Sequence, residues 1–292
     1  MSLVRALAAR MPVTARRAGR GMLNYFDRIA TWRDILREID GATPQDKRWL
    51  RRSALAAPVT AWGGFYGWRN PVLLHDVDVD VPVLGRFRAH ARSDELYLLL
   101  PQREAAVYAA TRALLRPGDT VVDAGANIGA FSVLAARLIG PAGRLVAIEM
   151  MPRTAERLRA NLARNGLAAE VVEAALAAES GRMVTAAIDP AKGGQATLAL
   201  AHTLDRPETH HVVTRTLDEV LAGHGEIALL KLDIEGAELD ALAGAGAVLR
   251  RTRAIIFEQL DDAGLIAEAI VRAGFTVQRL DRHNFLAQRT ER

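Results

Sequence analysis

From Glu104 to the C-terminus the chain alternates strand-like and helix-like segments, and that alternation restricts its fold more than any other feature. A helical pattern over Glu104–Leu115 stops before Pro117-Gly118. Strand Thr120–Asp123, helix Ala130–Leu138 and strand Arg144–Glu149 follow. Pro152 and Gly166 bracket a helix over Arg153–Arg164, the asymmetry expected of a helix start and stop. Strand Glu170–Ala174, a short helix Leu217–Leu221, strand Ile227–Asp233, helix Leu239–Leu249, strand Ala254–Glu258 and helix Ala263–Ala273 complete the series. Repeated units of this kind predict a parallel sheet with helices on both faces. Strands Phe275–Leu280 and Phe285–Arg289 are separated only by Asp281-Arg282-His283-Asn284, a gap that permits only an antiparallel hairpin. The expectation is an α/β, Rossmann-like sheet of seven strands ending in that hairpin. An ordinary dinucleotide-binding fold would continue with parallel units.

The preceding region reads differently. Apolar residues Leu23, Phe26, Ile29, Trp32, Ile35, Leu36 and Ile39 recur at helical spacing, predicting helix over residues 22 to about 56, with Pro12 and Gly19–Gly21 interrupting it upstream. A Gly- and aromatic-rich stretch, Trp62–Trp68, precedes Val77, Val79, Val81 and Val83, which alternate with polar or proline positions as in a strand. Gly85 then predicts a turn and Arg86–His90 a returning strand. The reading divides the chain into an extension, residues 1–93, and an α/β domain, residues 94–292.

Composition excludes some chemistry. No cysteine is present, which rules out disulfides, Cys-ligated zinc, iron–sulfur clusters and a Cys nucleophile. No apolar run approaches a membrane span, and no leader with a cleavage site is recognisable, so a cytoplasmic protein is expected. The formal net charge is only +4, which argues against a nucleic-acid partner. Residues 1–26 hold five arginines and no acid, a pattern compatible with a frayed tail or with peripheral contact at a membrane surface. The oligomeric state is not legible.

Ligands of open parallel sheets sit beyond the carboxyl ends of the strands. The first strand ends in Asp123-Ala124-Gly125-Ala126-Asn127-Ile128-Gly129. Gly125 is read as letting backbone approach a ligand, and Gly129 as permitting close strand–helix contact. Asp123 and Asn127 are candidate partners of a cationic, phosphate-free ligand. The G-x-x-x-G spacing departs from the G-x-G-x-x-G of pyrophosphate sites, which disfavours a nicotinamide oxidoreductase. Glu149, 26 residues after Asp123, is placed to accept both hydroxyls of a ribose. Met150 offers soft apolar surface for an adenine ring, and Glu173 with Ala174 stands at the next strand end, within reach of the adenine edge.

The fourth strand carries the segment Leu229–Glu238 and delivers Asp233, Glu235 and Glu238 to the same edge; the fifth ends in Glu258. Adjacent strands lie about 4.8 Å apart, so Asp233 and Glu258 are expected to converge. These acids suit deprotonation of an acceptor hydroxyl, its orientation, or the holding of a divalent metal, with no ligand set specified. Asp233 also adjoins the cofactor side. Glu238 is equally suited to capping, and Lys231 to pairing with an acid.

Taken in order, Val121–Ser132 (VVDAGANIGAFS), Glu149 with Pro152 and the helix to Asn165, Val171–Ala177, Gly193–Leu198 (GGQATL), Arg215–Val220 (RTLDEV), Lys231–Glu238 (KLDIEGAE) and Phe257-Glu258 resemble the FkbM-type methyltransferase family across about Asp94–Glu258. The resemblance implies a class I methyltransferase domain that uses S-adenosyl-L-methionine and methylates hydroxyls of sugars, glycolipids or polyketide-type molecules. A noncatalytic cofactor-binding scaffold on the same fold is the alternative. His202, His210 and His211 are expected in an exposed polar insertion.

Overall fold

The computed structural model describes residues 13–62, 71–188, 208–259 and 264–290. The chain divides into two compact units, Met1–Asp80 with Ala89–Leu100, and Val81–Arg88 with Pro101–Arg292. The Gly/aromatic stretch beyond Trp62, the GGQATL segment and His202 lie outside the described residues.

In the first unit, helices α1 (Val13–Glu38) and α2 (Pro44–Trp62) pack on one another. The expected interruption at Gly19–Gly21 is not there: α1 continues through both glycines, each costing about 1 kcal/mol relative to alanine. The break falls instead inside the stretch expected to be continuous. Strand β1 (Asp40–Gly41) pairs antiparallel with β2 (Val77–Val81), Gly41 opposite Val79. Thr43 then restarts the helix. Its hydroxyl accepts from the Asp46 amide at 3.2 Å, and the Asp46 carboxylate accepts from the Thr43 amide at 3.1 Å. This reciprocal cap, with Pro44 in the first turn, sets a start that apolar spacing alone does not reveal. Along β2, Val77, Val79 and Val81 are buried, as the alternation predicts. Next in the chain come strand β3 (Gly85–Ala89), whose residues 85–88 belong to the second unit, and helix α3 (Glu95–Leu98) of the first.

The second unit holds α4 (Ala105–Leu114), β4 (Thr120–Ala124), α5 (Ala130–Ile139), β5 (Arg144–Ile148), α6 (Pro152–Arg164), β6 (Glu170–Val172), β7 (Ala175–Leu176), β8 (Met183–Ile188), β9 (Glu208–Arg215), α7 (Leu217–Val220), β10 (Ile227–Leu232), α8 (Glu238–Ala243), α9 (Gly246–Arg250), β11 (Thr252–Glu258), α10 (Leu265–Arg272), β12 (Phe275–Arg279) and β13 (Asn284–Arg289). Seven strands form one sheet in the order β12-β13-β11-β10-β4-β5-β6. β13 is antiparallel to both its neighbours, and the remaining pairs are parallel. The core is made by fully buried side chains of the central strands, among them Val122, Ile148, Leu230, Leu232, Ile255 and Phe257. Each such burial stabilises the fold by about 1.5–3 kcal/mol. Because the central strands are parallel, β4, β5, β10 and β11 all end at one edge.

Two local expectations change. The single helix expected over Leu239–Leu249 is split. A Cβ at Gly244 would lie 2.5 Å from the Ala177 carbonyl oxygen, and the Asp218 carboxylate accepts from the amides of Ala247 (2.9 Å) and Val248 (2.7 Å), starting α9 afresh. His210 and His211 are not in a loop. They sit on β9, which pairs antiparallel with β8 and parallel with β7 in a separate three-stranded sheet. His210 contacts Glu208 at 2.9 Å, and His211 lies 3.4 Å from the Thr185 hydroxyl. Among the described residues no helix is long and apolar enough to cross a membrane.

Candidate active site

The loop after β4 is built by contacts from two neighbouring strands. The amides of Gly125 and Ala126 both donate to the Ile148 carbonyl at 3.0 Å, and the Asp233 amide donates to the Ala124 carbonyl at 3.0 Å. These bonds pull the chains so close that a Cβ on Gly125 would lie 1.8 Å from the Asp233 carbonyl oxygen. Gly125 (φ 86°) is therefore demanded by the neighbouring strand end. At Gly129 (φ 92°) a Cβ would meet Leu158 of α6 at 2.6 Å, so the close contact there is helix against helix.

Asp123 is fully buried. One of its oxygens accepts from the Ser132 hydroxyl at 2.5 Å. The other, Oδ1, is buried and accepts nothing from the described residues, as does Asn127 Oδ1. Burial pushes the Asp123 carboxyl up to about 6, although Lys231 and Ser132 favour its charged form. Asn127 adopts φ 50°, a left-handed conformation that asparagine tolerates. Its amide donates to Glu149 Oε2 at 3.0 Å, while Glu149 Oε1 accepts from the Met151 amide at 2.9 Å. Glu149 thus ties two loops together and, with a further backbone hydrogen bond from Met150, still has acceptor capacity left. Burial pushes its carboxyl up to about 7 against the pull of those amides. Met150 is half-buried against a cluster of Met151, Ala175, Ala186 and Val212. Ala174 is buried, whereas Glu173 is exposed and ion-paired to Arg159 at 2.6 Å.

Leu232 pairs with Ala124 on one side and with Phe257 on the other. The next residues, Asp233 and Glu258, therefore leave β10 and β11 side by side, as expected. Lys231, beside Asp123 in the register, is nearly fully buried, and its ammonium donates to Asp233 Oδ2 at 2.7 Å. Burial disfavours its charged form; the charges of Asp233, Glu104 and Asp123 outweigh burial and raise its proton affinity. Glu235 has φ 53°, a conformation costing about 1–3 kcal/mol in a non-glycine residue. Burial, then Asp233 and Glu238, push its carboxyl up to about 7. Burial, then Asp233 and Glu235, push Glu258 up to about 8. Glu238 is a cap: its carboxylate accepts from the amides of Ile234 and Gly236, both at 3.0 Å. Among the described residues no three His, Cys, Asp or Glu side chains group so as to hold a metal ion.

Glu104, at the end of the turn before α4, was not singled out from the sequence. Its charge acts on Asp123, Lys231 and Glu258. Its only sequence signal is an acid at a helix start, which is too common to be read. Ser132, visible inside VVDAGANIGAFS, acquires its role only through the hydrogen bond to Asp123.

These raised proton affinities have a consequence for stability. A carboxyl that holds its proton more tightly when folded contributes fully below its unfolded value, near 4.3 for Glu. That contribution is lost as pH rises through the folded value. The melting temperature is expected to fall between about pH 5 and pH 8 and then level off. Glu258→Gln should match the native protein at pH 5, exceed it at pH 8 and flatten the slope in a thermal-melt series. An unchanged slope would show that Glu258 is not buried against other acids.

The arrangement fits S-adenosyl-L-methionine on its own chemistry. The orphaned Asp123 Oδ1 suits a cationic ammonium, and Glu149 retains acceptor capacity for ribose hydroxyls. The Methyltransferase FkbM domain family model matches residues 123–285. The chain is 34% identical over 195 residues to 31-O-demethyl-FK506 methyltransferase FkbM of Streptomyces tacrolimicus, covering 56% of this chain and 75% of that one. It is 32% identical over 235 residues to AMB antimetabolite synthetase AmbE of Pseudomonas aeruginosa, covering 63% of this chain but only 11% of that one. The solved structure of Methyltransferase FkbM from Methylobacillus flagellatus KT aligns with 67% of this chain and 54% of its own, at 18% identity and a TM-score of 0.41. With more than half of its length matched by the family model, the chain belongs to the FkbM family of S-adenosyl-L-methionine-dependent methyltransferases.

Proposed function

We propose that the protein transfers a methyl group to a hydroxyl oxygen of a sugar, glycolipid or polyketide-type small molecule. The observation that carries this is the convergence of Asp233, Glu235 and Glu258 beside the loop that holds Asp123 and Glu149. The relative from Streptomyces tacrolimicus, whose name describes methylation of an O-demethyl substrate, supports the hydroxyl acceptor.

Asp123, Gly125, Asn127 and Glu149 hold the cofactor, with Met150 and Ala174 along the adenine side. S-adenosyl-L-methionine supplies an electrophilic methyl group when bound. The chain's own work is to present an oxygen lone pair to it. Glu258, with a proton affinity near the working pH, takes the hydroxyl proton; a base matched to ambient pH is the most effective. Asp233, pinned by Lys231, accepts a hydrogen bond from a neighbouring hydroxyl of the acceptor and keeps Glu258 basic through its charge. Glu235, whose carboxyl is pushed up to about 7, donates in its protonated form to a neighbouring acceptor oxygen. Glu173 stays at the surface, outside this arrangement.

Titration calorimetry and a labelled-methyl assay on glycan and polyketide hydroxyls test this reading. Heat with S-adenosyl-L-methionine, none with NAD, and label on oxygen are expected. Heat without transfer to any acceptor favours a scaffold, and label on nitrogen overturns the hydroxyl assignment.

A further inference from the structure

We infer that the first unit docks on an anionic lipid surface through the outer faces of α1 and α2. Residues 1–62 contain twelve Lys/Arg and five Asp/Glu, a net +7, so with +4 for the whole chain the remainder carries −3. The positive charge is thus concentrated in the first fifth of a chain that is otherwise mildly acidic. On α2, Arg48, Arg51, Arg52, Leu55 and Val59 recur at intervals of three and four, so they share one face. All five are exposed, Leu55 at 80% and Val59 at 75%. The opposite face of α2 is buried through Leu50, Ser53 and Ala57. On α1, Phe26, Ile29, Arg33 and Leu36 are likewise exposed on one side, while Arg28, Trp32 and Ile35 are buried on the other.

Among the described residues, Arg33, Arg48, Arg51 and Arg52 form no ion pair with a carboxylate; Arg52 lies over the Trp49 ring at 5.2 Å. Four guanidinium groups without acidic partners, interleaved with exposed Leu, Val, Ile and Phe, make a surface with two needs. It seeks anions at the level of the arginines and an apolar medium for the side chains between them. An anionic bilayer supplies both, headgroups for the charge and the acyl boundary for the apolar residues. A nucleic acid satisfies the charge but leaves Leu55 and Val59 in water. A second copy of this basic face would repel the first. Each long arginine stem can also lie along the apolar layer with its head in the headgroup region.

Flotation of the full-length protein with vesicles of phosphatidylcholine containing 30% phosphatidylserine, against pure phosphatidylcholine, tests this. Binding to the anionic vesicles that weakens in high salt is expected, with little to the neutral ones. Arg48→Gln, Arg51→Gln and Arg52→Gln together should weaken it roughly 100-fold. Leu55→Ser with Val59→Ser should weaken it at least about 10-fold while leaving the melting temperature within about 2 °C, since both side chains are exposed. Arg5→Gln with Arg10→Gln should retain most of the binding. The proposal is overturned if the folded protein ignores anionic vesicles. It is equally overturned if the Leu55/Val59 pair binds them as well as the native chain, if only the Arg5/Arg10 pair matters, or if the same α2 substitutions abolish retention on RNA but not on vesicles. A change of oligomeric state in the Leu55/Val59 variant without loss of vesicle binding would assign the face to a second copy instead.

Discussion

Gly125→Ala should remove S-adenosyl-L-methionine binding and lower stability by roughly 2–6 kcal/mol, combining left-handed backbone on a non-glycine residue with an overpacked contact. The new methyl would start 1.8 Å from the Asp233 carbonyl oxygen. That oxygen cannot withdraw, because the Asp233 amide is itself bonded to the Ala124 carbonyl at the end of β4, next to Gly125. Relief requires β4 and β10 to part, which moves Asp123 and Asp233 together. A loss of this size is a large share of the 5–15 kcal/mol typical of a folded protein. Gly236→Ala is the control: φ there is 100°, yet nothing lies within 4 Å of the added carbon. It should cost only the backbone component. Denaturant titration and calorimetry of both variants decide the matter, and equal losses would show that backbone conformation, not the contact with Asp233, makes Gly125 necessary.

Glu258→Gln should depress turnover by about 10²–10⁴-fold, the range for loss of a general base, with cofactor affinity within a few-fold of native. Asp233→Asn should also slow transfer, but it carries a distinguishing signature in the pH profile. In the native protein, turnover should rise with pH through about 8 as Glu258 loses its proton. Asp233 is one of the negative charges that raise Glu258, so neutralising it must move that rise to lower pH. A merely structural role for Asp233 would lower the rate without moving the profile. A native rate independent of pH between 6 and 9 would remove Glu258 from the proton transfer altogether.

Much of this protein is legible because its signals are local. The β-α alternation, the four-residue gap before β13 and the Pro152 and Gly166 brackets each involve residues close in the chain, and apart from the split of the helix expected over Leu239–Leu249 they land within a residue or two of the structure. The placement of Asp123, Glu149, Asp233 and Glu258 at one edge follows as well, since parallel strands end together. Where a local pattern is overruled, a contact from elsewhere is responsible. Asp218 starts α9 from 29 residues away, and the antiparallel partner of β9 lies across residues outside the described set, hiding the sheet that carries His210 and His211.

The chemistry of the edge belongs to tertiary structure for the same reason. Residue identity says that Glu235 and Glu258 are acids. Only burial beside Asp233 raises their proton affinity into the neutral range, and only the Lys231 ammonium at 2.7 Å holds Asp233 in place. Glycine at 125 is visible in the sequence, but its cause, the Asp233 carbonyl, is 108 residues distant. The sequence by itself determined the sheet, its final hairpin and which side chains reach its ligand-bearing edge, because strand direction and side-chain period are properties of neighbouring residues. Solvent exclusion and close approach between distant strands decided which of those side chains are charged, which are paired and which brace the loops, because both depend on what surrounds a group in space.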